Sequence, residues 1–201
     1  MQGAGLRRLQ TLRLIKLINK IKPKSVLDVG CGNGERLLQL ACRFPKIKFT
    51  GIDLTQGGID TAKNIQTFDE LPKPLMELSP EPLIDLTAHK NIEFICASAK
   101  EIPFEDSSFD LVYTSLVLEQ LDLIKEKVLS EIYRVTNKYA SFYEAFHDYN
   151  RGMLQRAYIY SECYFKGYLE DLKTLGFSEI EVTDNIPQKH YENNVFVVAN
   201  K

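Results

Sequence analysis

Three glycines set two residues apart, behind an apolar run, are the first feature of this chain with chemistry in it. In VLDVGCGNG (residues 26–34), Gly30, Gly32 and Gly34 follow a strand-like stretch and precede a helical one. Glycine lets the backbone turn sharply and lets a ligand approach main-chain atoms with no Cβ in the way. Asp53, at the end of KFTGID, lies nineteen residues after Gly34. A carboxylate at that strand end can accept hydrogen bonds from both hydroxyls of a ribose. Alone it would mean little, but beside the glycine turn it points to a ligand with an adenosine-like half.

A phosphate-bearing ligand fits this turn poorly. The dinucleotide pattern G-x-G-x-x-G, counted from Gly30, requires glycine at position 35, where Glu35 stands. That acid would face the pyrophosphate at a helix N-terminus, where negative charge on the protein is the wrong sign. S-adenosylmethionine carries no phosphate and has a sulfonium cation, so Glu35 and Asp28 are tolerable or helpful to it. The glycine spacing therefore favours a methyl donor over NAD.

Residues 97–121 read ASAKEIPFEDSSFDLVYTSLVLEQL. With VLDVGCGNG and GIDLT, this run resembles the class I S-adenosylmethionine-dependent methyltransferases, and within them the small-molecule, type 11-like branch with a PF-x-D-x-SFD segment before a strand. The resemblance spans about residues 25–144. It implies that Asp28, Gly30, Cys31, Gly32 and Gly34 line the donor, Asp53 binds the ribose diol and Leu54 packs on the adenine. It puts Ala97, Ser98 and Ala99 at the adenine edge, with Ser98 where many relatives carry an acid. Backbone groups of Thr114 and Ser115 would hold the methionine ammonium and carboxylate. Gln120, which the resemblance places among the donor-binding residues, stands where relatives often have His, and Glu144-Ala145 where they commonly show Glu-Pro.

The implied reaction is direct displacement of the methyl group onto a small polar acceptor, with S-adenosylhomocysteine as product and no metal required. A general base is needed only if the nucleophile must lose a proton, and His147, Glu144, Tyr143 and Tyr113 are the groups available for that. Rival readings are a protein or RNA methyltransferase and a relative that binds the donor without turnover. No NPPY- or DPPY-like tetrapeptide follows the fourth strand, where TSLV stands, which disfavours methylation of nucleobase amino groups.

The elements needed to position these residues are written in the hydrophobic pattern. Strands are expected at 25–29, 48–52, 91–96, 109–113, 139–143, 179–182 and 195–199. Helices are expected at 35–43, 57–67, near 121–135, and from an N-cap at Ser161 to residue 175, with Gly176 as the stop. Such alternation predicts one α/β domain over residues 1–201: a doubly wound, Rossmann-like, mostly parallel seven-stranded sheet with an antiparallel last strand. Leu6, Leu9, Leu14, Leu17, Ile18 and Ile21 form an amphipathic helix within residues 1–24, stopped by Pro23, with its basic face outward. Residues 69–90, with Pro72, Pro74, Pro80 and Pro82, read as a surface excursion holding a short helix that starts at Ser79-Pro80. Because a helix-to-strand connection lies at the sheet edge opposite the ligand-binding one, a structural excursion is favoured there over a substrate lid.

Acceptor groups are expected on loops 144–162, with His147, Asp148, Tyr149, Asn150 and Arg151, and 185–194, with Gln188, His190 and Tyr191. His147 and Asp148 are also open to reading as a hydrogen-bonded loop pair. His89 and His190 read as solvated loop histidines, and Tyr158, Tyr160, Tyr164, Phe165 and Tyr168 as packing aromatics. The composition excludes several other classes. The net charge is −2 with 44% apolar residues, which leaves no overall footprint for nucleic acid or an anionic membrane. Seven of the 25 basic residues and none of the 27 acids fall in residues 1–24, leaving the remainder at −9. No apolar run is long enough to span a bilayer, and the N-terminus lacks the unbroken core of a secretory signal. Cys31, Cys42, Cys96 and Cys163 are scattered, which suits free thiols in a reducing cytoplasm rather than a disulfide framework or zinc site.

Overall fold

A computed structural model describes residues 2–153, 156–157, 166–184 and 193–201. It contains a seven-stranded sheet in the order β3-β2-β1-β4-β5-β7-β6, with β7 antiparallel to both of its neighbours. That is the doubly wound sheet with a reversed last strand expected from the pattern. By contact the chain forms two compact units, residues 1–98 and 99–201.

The first unit opens with α1 (Gln2–Ile21), whose Leu14, Ile15, Leu17 and Ile18 are buried. Its polar side is tied down as well: Arg7 pairs with Glu35, Arg8 donates to Glu77 O, and Gln10 accepts from Arg36. The helix stops where Lys22 takes a φ of 49° and returns its N–H to Ile18 O, one residue before Pro23. Strand β1 (Ser25–Val29) pairs in parallel with β2 (Lys48–Asp53), and β2 with the four-residue edge strand β3 (Glu93–Cys96). Helices α2 (Glu35–Arg43) and α3 (Gln56–Gln66) cross between them, burying Leu37, Leu38 and Leu40, and Ile59 and Ala62, respectively.

The Pro-rich stretch is anchored to α2 through backbone atoms. Gln39 donates to Leu75 O, Ile84 and Asp85 both donate to Cys42 O, and Leu71 N–H meets Leu86 O. Its helix, α4 (Lys73–Leu78), precedes Ser79-Pro80 instead of starting there. Pro72 is the N-cap and Pro74 lies in the first turn, where a missing N–H costs nothing. Ser79 instead turns its hydroxyl to Glu81 O and leaves the helix. His89 is a second correction. It is fully buried, with Nδ1 against Leu86 O, in a turn that Gln66 grips through the carbonyls of His89, Lys90 and Ile92.

The second unit is built on β4 (Phe109–Ser115), β5 (Thr136–Glu144), β6 (Ser178–Thr183) and β7 (Val195–Asn200). Two 3-10 turns, Leu118–Gln120 and Asp122–Ile124, precede α5 (Lys125–Val135), so the helix begins later than its apolar pattern does. Edge strand β6 carries a φ of 45° at Glu179 and a shift of register between Ser178 and Glu181. The last described helix, α6, is only Leu169–Leu175, not a helix running from Ser161. Lys166, Gly167 and Tyr168 are not helical, and Asp171 caps the Tyr168 N–H from the first turn; Ser161 lies outside the described residues. Gly176 ends α6 as expected, at φ 109° with its N–H on Leu172 and Lys173 carbonyls.

The PF-x-D-x-SFD segment is held by α5. Arg134 donates to Ile102 O, Phe104 O and Asp106, while Glu131 accepts the Ile102 N–H and pairs with Arg134. These bonds hold the Glu131 carboxyl down at about 2. Asp110, the last residue of the segment, pairs with Lys138 and accepts from Asn137. Among the described residues, no helix is long and apolar enough to cross a membrane.

Candidate functional site

In the first unit the glycine turn and the end of β2 are one hydrogen-bonded structure. Gly30 and Cys31 both donate to Ile52 O, and Gly32 N–H donates to Asp53 Oδ2 at 2.8 Å. Asp53 Oδ1 accepts the Thr55 N–H at 2.8 Å and its hydroxyl at 2.5 Å. Four lone-pair directions on a carboxylate minus these three donors leave one for a ligand. Asp53 can thus take one ribose hydroxyl directly, and a second only by sharing with the Thr55 hydroxyl.

All three glycines have positive φ, 80°, 55° and 73°, which only glycine adopts at low cost. Two of them also need the missing side chain differently. A Cβ on Gly34 would lie 2.7 Å from the Phe94 ring, whereas one on Gly32 would meet nothing within 4 Å. Gly34 is therefore a packing requirement, and Gly32 is the open floor of the turn. Gly58, in the first turn of α3, was not singled out by its sequence setting. A Cβ there would stand 2.9 Å from Gly32 O, so α3 is pressed directly against the turn.

The remaining donor residues of this unit gather beside Asp53. Ala97 N–H donates to Asp53 O at 2.9 Å, joining the end of β3 to the end of β2. Leu54 leaves the sheet with 72% of its surface exposed, a large apolar side chain mostly open to solvent. Ser98 is half-buried. Asp28 is buried in β1 below the turn. Burial, followed by the charges of Asp28 and Asp53, pushes the Cys31 thiol far up, so it stays neutral and is no nucleophile.

In the second unit, Thr114 and Ser115 end β4, and the turn after them is gripped by the end of β5. Leu116 N–H donates to Tyr143 O, and the Val117 and Leu118 N–H groups donate to Glu144 Oε1 and Oε2 at 3.1 and 3.2 Å. Glu144 is fully buried. Burial pushes its carboxyl up to about 8, against the pull of the two amides and the Thr114 hydroxyl nearby. Tyr113 is buried in β4, and Gln120 is exposed on a 3-10 turn outside this cluster.

His147 sits in a 3-10 turn, His147–Tyr149, with its ring 4.7 Å from that of Tyr168 and its N–H on Gly167 O. It is not bonded to Asp148 as a pair. Asp148 turns its carboxylate to the Leu169 N–H at the start of α6 instead. The His147 Nε2 is buried with no hydrogen-bond partner, and burial followed by Arg156 lowers the imidazole's affinity for a proton. Asn150, expected to face an acceptor, is fully buried and ties Phe146 O to Asn193. Arg151 is exposed and donates to Asp148 O. Gln188, His190, Tyr191 and the aromatics Tyr158, Tyr160, Tyr164 and Phe165 lie outside the described residues.

Residues 27–143 match the family model described as a methyltransferase domain. The chain is 30% identical over 143 residues to the ubiquinone/menaquinone biosynthesis C-methyltransferase of Rickettsia prowazekii, covering 71% of this chain and 51% of the relative. It is 27% identical to the demethylmenaquinone methyltransferase of Porphyromonas gingivalis, over 67% of this chain and 48% of the relative. The chain thus spans about half the length of these two relatives. Among solved structures, an S-adenosylmethionine-dependent methyltransferase from Methanosarcina mazei superposes with a TM-score of 0.65 at 19% identity, over 92% of this chain and 96% of that one.

Proposed function

Because the chain belongs to the methyltransferase-domain family, we propose that it binds S-adenosylmethionine and transfers its methyl group to a small polar acceptor by direct displacement. The observation that carries this reading is the bond between Gly32 N–H and Asp53, with open space over Gly32 and the bare Leu54 side chain alongside. That arrangement offers a nucleoside a floor, a charged acceptor for its ribose and an apolar plate for its base. Glu35 at the start of α2 and buried Asp28 repel a pyrophosphate and are compatible with a sulfonium cation.

The donor supplies an already activated methyl group. The protein's task is then orientation and exclusion of water, worth up to about 7–11 kcal/mol. In this reading Gly30, Gly32 and Gly34 frame the donor, with Cys31 between them as a neutral thiol. Asp53 takes a ribose hydroxyl, Leu54 covers the adenine, and Ala97, Ser98 and Ala99 flank its edge. Thr114 and Ser115 meet the amino-acid end. Of the groups first considered as bases, Tyr113, Tyr143 and Glu144 are buried, the last with both oxygens taken by backbone amides, while His147, also buried, keeps a ring nitrogen with no hydrogen-bond partner. His147 is therefore the group we assign to accept a proton from an acceptor that must lose one.

The relatives' names make a carbon acceptor of the quinol type the first to try. The free thiols of Cys31, Cys42 and Cys96 support a reducing, cytoplasmic setting. Titration calorimetry with S-adenosylhomocysteine and with NAD tests the reading. Saturable binding of the sulfur compound is expected, weakened by about 1–3 kcal/mol in Asp53→Ala, which takes the charged acceptor from the ribose. Binding of NAD with no response to S-adenosylhomocysteine would overturn it.

A further inference from the structure

Three consecutive amides behind β4 are consumed by the last two residues of β5. Tyr143 O takes the Leu116 N–H, and the two oxygens of Glu144 take those of Val117 and Leu118. Between them Leu116 is held at φ 58°, a left-handed conformation that is strained for a leucine. Such strain persists only where the surroundings over-determine it, and here one carboxylate supplies most of the grip. With both oxygens occupied and no exposed surface, Glu144 cannot reach a reacting atom. Just before the strained residue, the Ser115 hydroxyl oxygen is buried yet has no hydrogen-bond partner. An unsatisfied buried hydroxyl at a strand's carboxyl end, where this fold binds ligands, needs an explanation, and a ligand atom is one.

We infer that Glu144 is a positioning residue: by locking residues 116–118 it fixes the end of β4 so that Ser115 meets the amino-acid end of the methyl donor. This rests on the reading of the chain as an S-adenosylmethionine-dependent methyltransferase. It also narrows the contact. The amides of residues 116–118 are already taken, so recognition falls to Ser115 and the backbone before it.

Two ligands separate the halves of the donor: S-adenosylhomocysteine, and 5′-methylthioadenosine, which lacks the amino-acid end. Glu144→Gln keeps the volume but offers one acceptor oxygen in place of two. It should weaken S-adenosylhomocysteine by about tenfold, the effect of one lost buried hydrogen bond, with methylthioadenosine changed less than about twofold. Amide hydrogen exchange should show faster exchange at residues 116–118 and unchanged protection within β4. Ser115→Ala, which removes no bond of the fold, should show the same selectivity for S-adenosylhomocysteine at an unchanged melting temperature, and so tests the inference should Glu144→Gln fail to fold. Equal losses for both ligands in either variant, or no loss in Ser115→Ala, would overturn the inference alone. If the wild-type chain binds neither ligand, the underlying reading fails and the inference falls with it.

Discussion

Gly57 and Gly58 are neighbours in the first turn of α3 and are indistinguishable by sequence, yet space around them differs. A Cβ on Gly57 meets nothing within 4 Å, while one on Gly58 stands 2.9 Å from the Gly32 carbonyl. Gly57→Ala should therefore stabilise the protein by about 0.5–1 kcal/mol through helix propensity and leave donor affinity unchanged. Gly58→Ala should forfeit that gain, because the atom it strikes is backbone of the turn, and should lower both the melting temperature and the affinity for S-adenosylhomocysteine. Identical behaviour of the two variants would defeat this account. The pair also marks how far single residues were legible. Gly30, Gly32, Gly34 and Asp53 could be read because each belongs to a short pattern with a stated geometric need. Gly58 and the grip of Glu144 could not, since their partners lie 26 and 27 positions away in the chain. His89 misled for a related reason: its polar neighbours suggest a loop in water, but Gln66 buries that loop by satisfying its carbonyls.

Elements announced by periodicity were found, while those ended by side-chain chemistry were displaced. Strands β1 and β2 and helix α2 match their apolar runs, whereas α4 is bounded by Pro72 and Ser79 and α6 is set by capping. Tyr168 is a poor N-cap by residue type, and α6 starts after it only because Asp171 and Asp148 satisfy the Tyr168 and Leu169 amides. The PF-x-D-x-SFD segment makes the same point, since its identity as a motif did not reveal that α5 holds it. Arg134 reaches two carbonyls and two carboxylates of that cluster with a planar fork, which a lysine cannot copy. Arg134→Lys should cost on the order of 1–3 kcal/mol in urea unfolding, with the midpoint lowered and the slope unchanged. An unshifted midpoint would mean that the segment holds its shape without α5.

At the scale of the whole molecule, the buried groups Glu131, His147 and Glu144 make stability depend on pH with opposite signs. Glu131 is held down at about 2, so its stabilisation is complete above the ordinary carboxylate value of 4.5 and is lost as pH falls toward 2. His147 resists protonation, so stability drops as pH falls below its ordinary value of 6.5, where the unfolded chain takes up the proton first. Glu144, pushed up to about 8, acts the other way: the unfolded chain releases this proton at about 4.5, so stability declines as pH rises from there to 8. The last two oppose each other between 4.5 and 6.5. A decline from pH 6.5 to 8 should therefore be visible in thermal melts and flatten in Glu144→Gln, and a wild-type profile flat over that range would refute it. The two ends of the sheet have a consequence of another kind. One end is β3, only four residues long, and the other is β6, kinked at Glu179 and carrying a second acid at Glu181. A passing unfolded chain finds no straight, uncharged ladder to add itself to, so growth of the sheet from one molecule into the next is discouraged at both rims. Resistance to fibril formation is thus built into the two strands at the rims of the sheet.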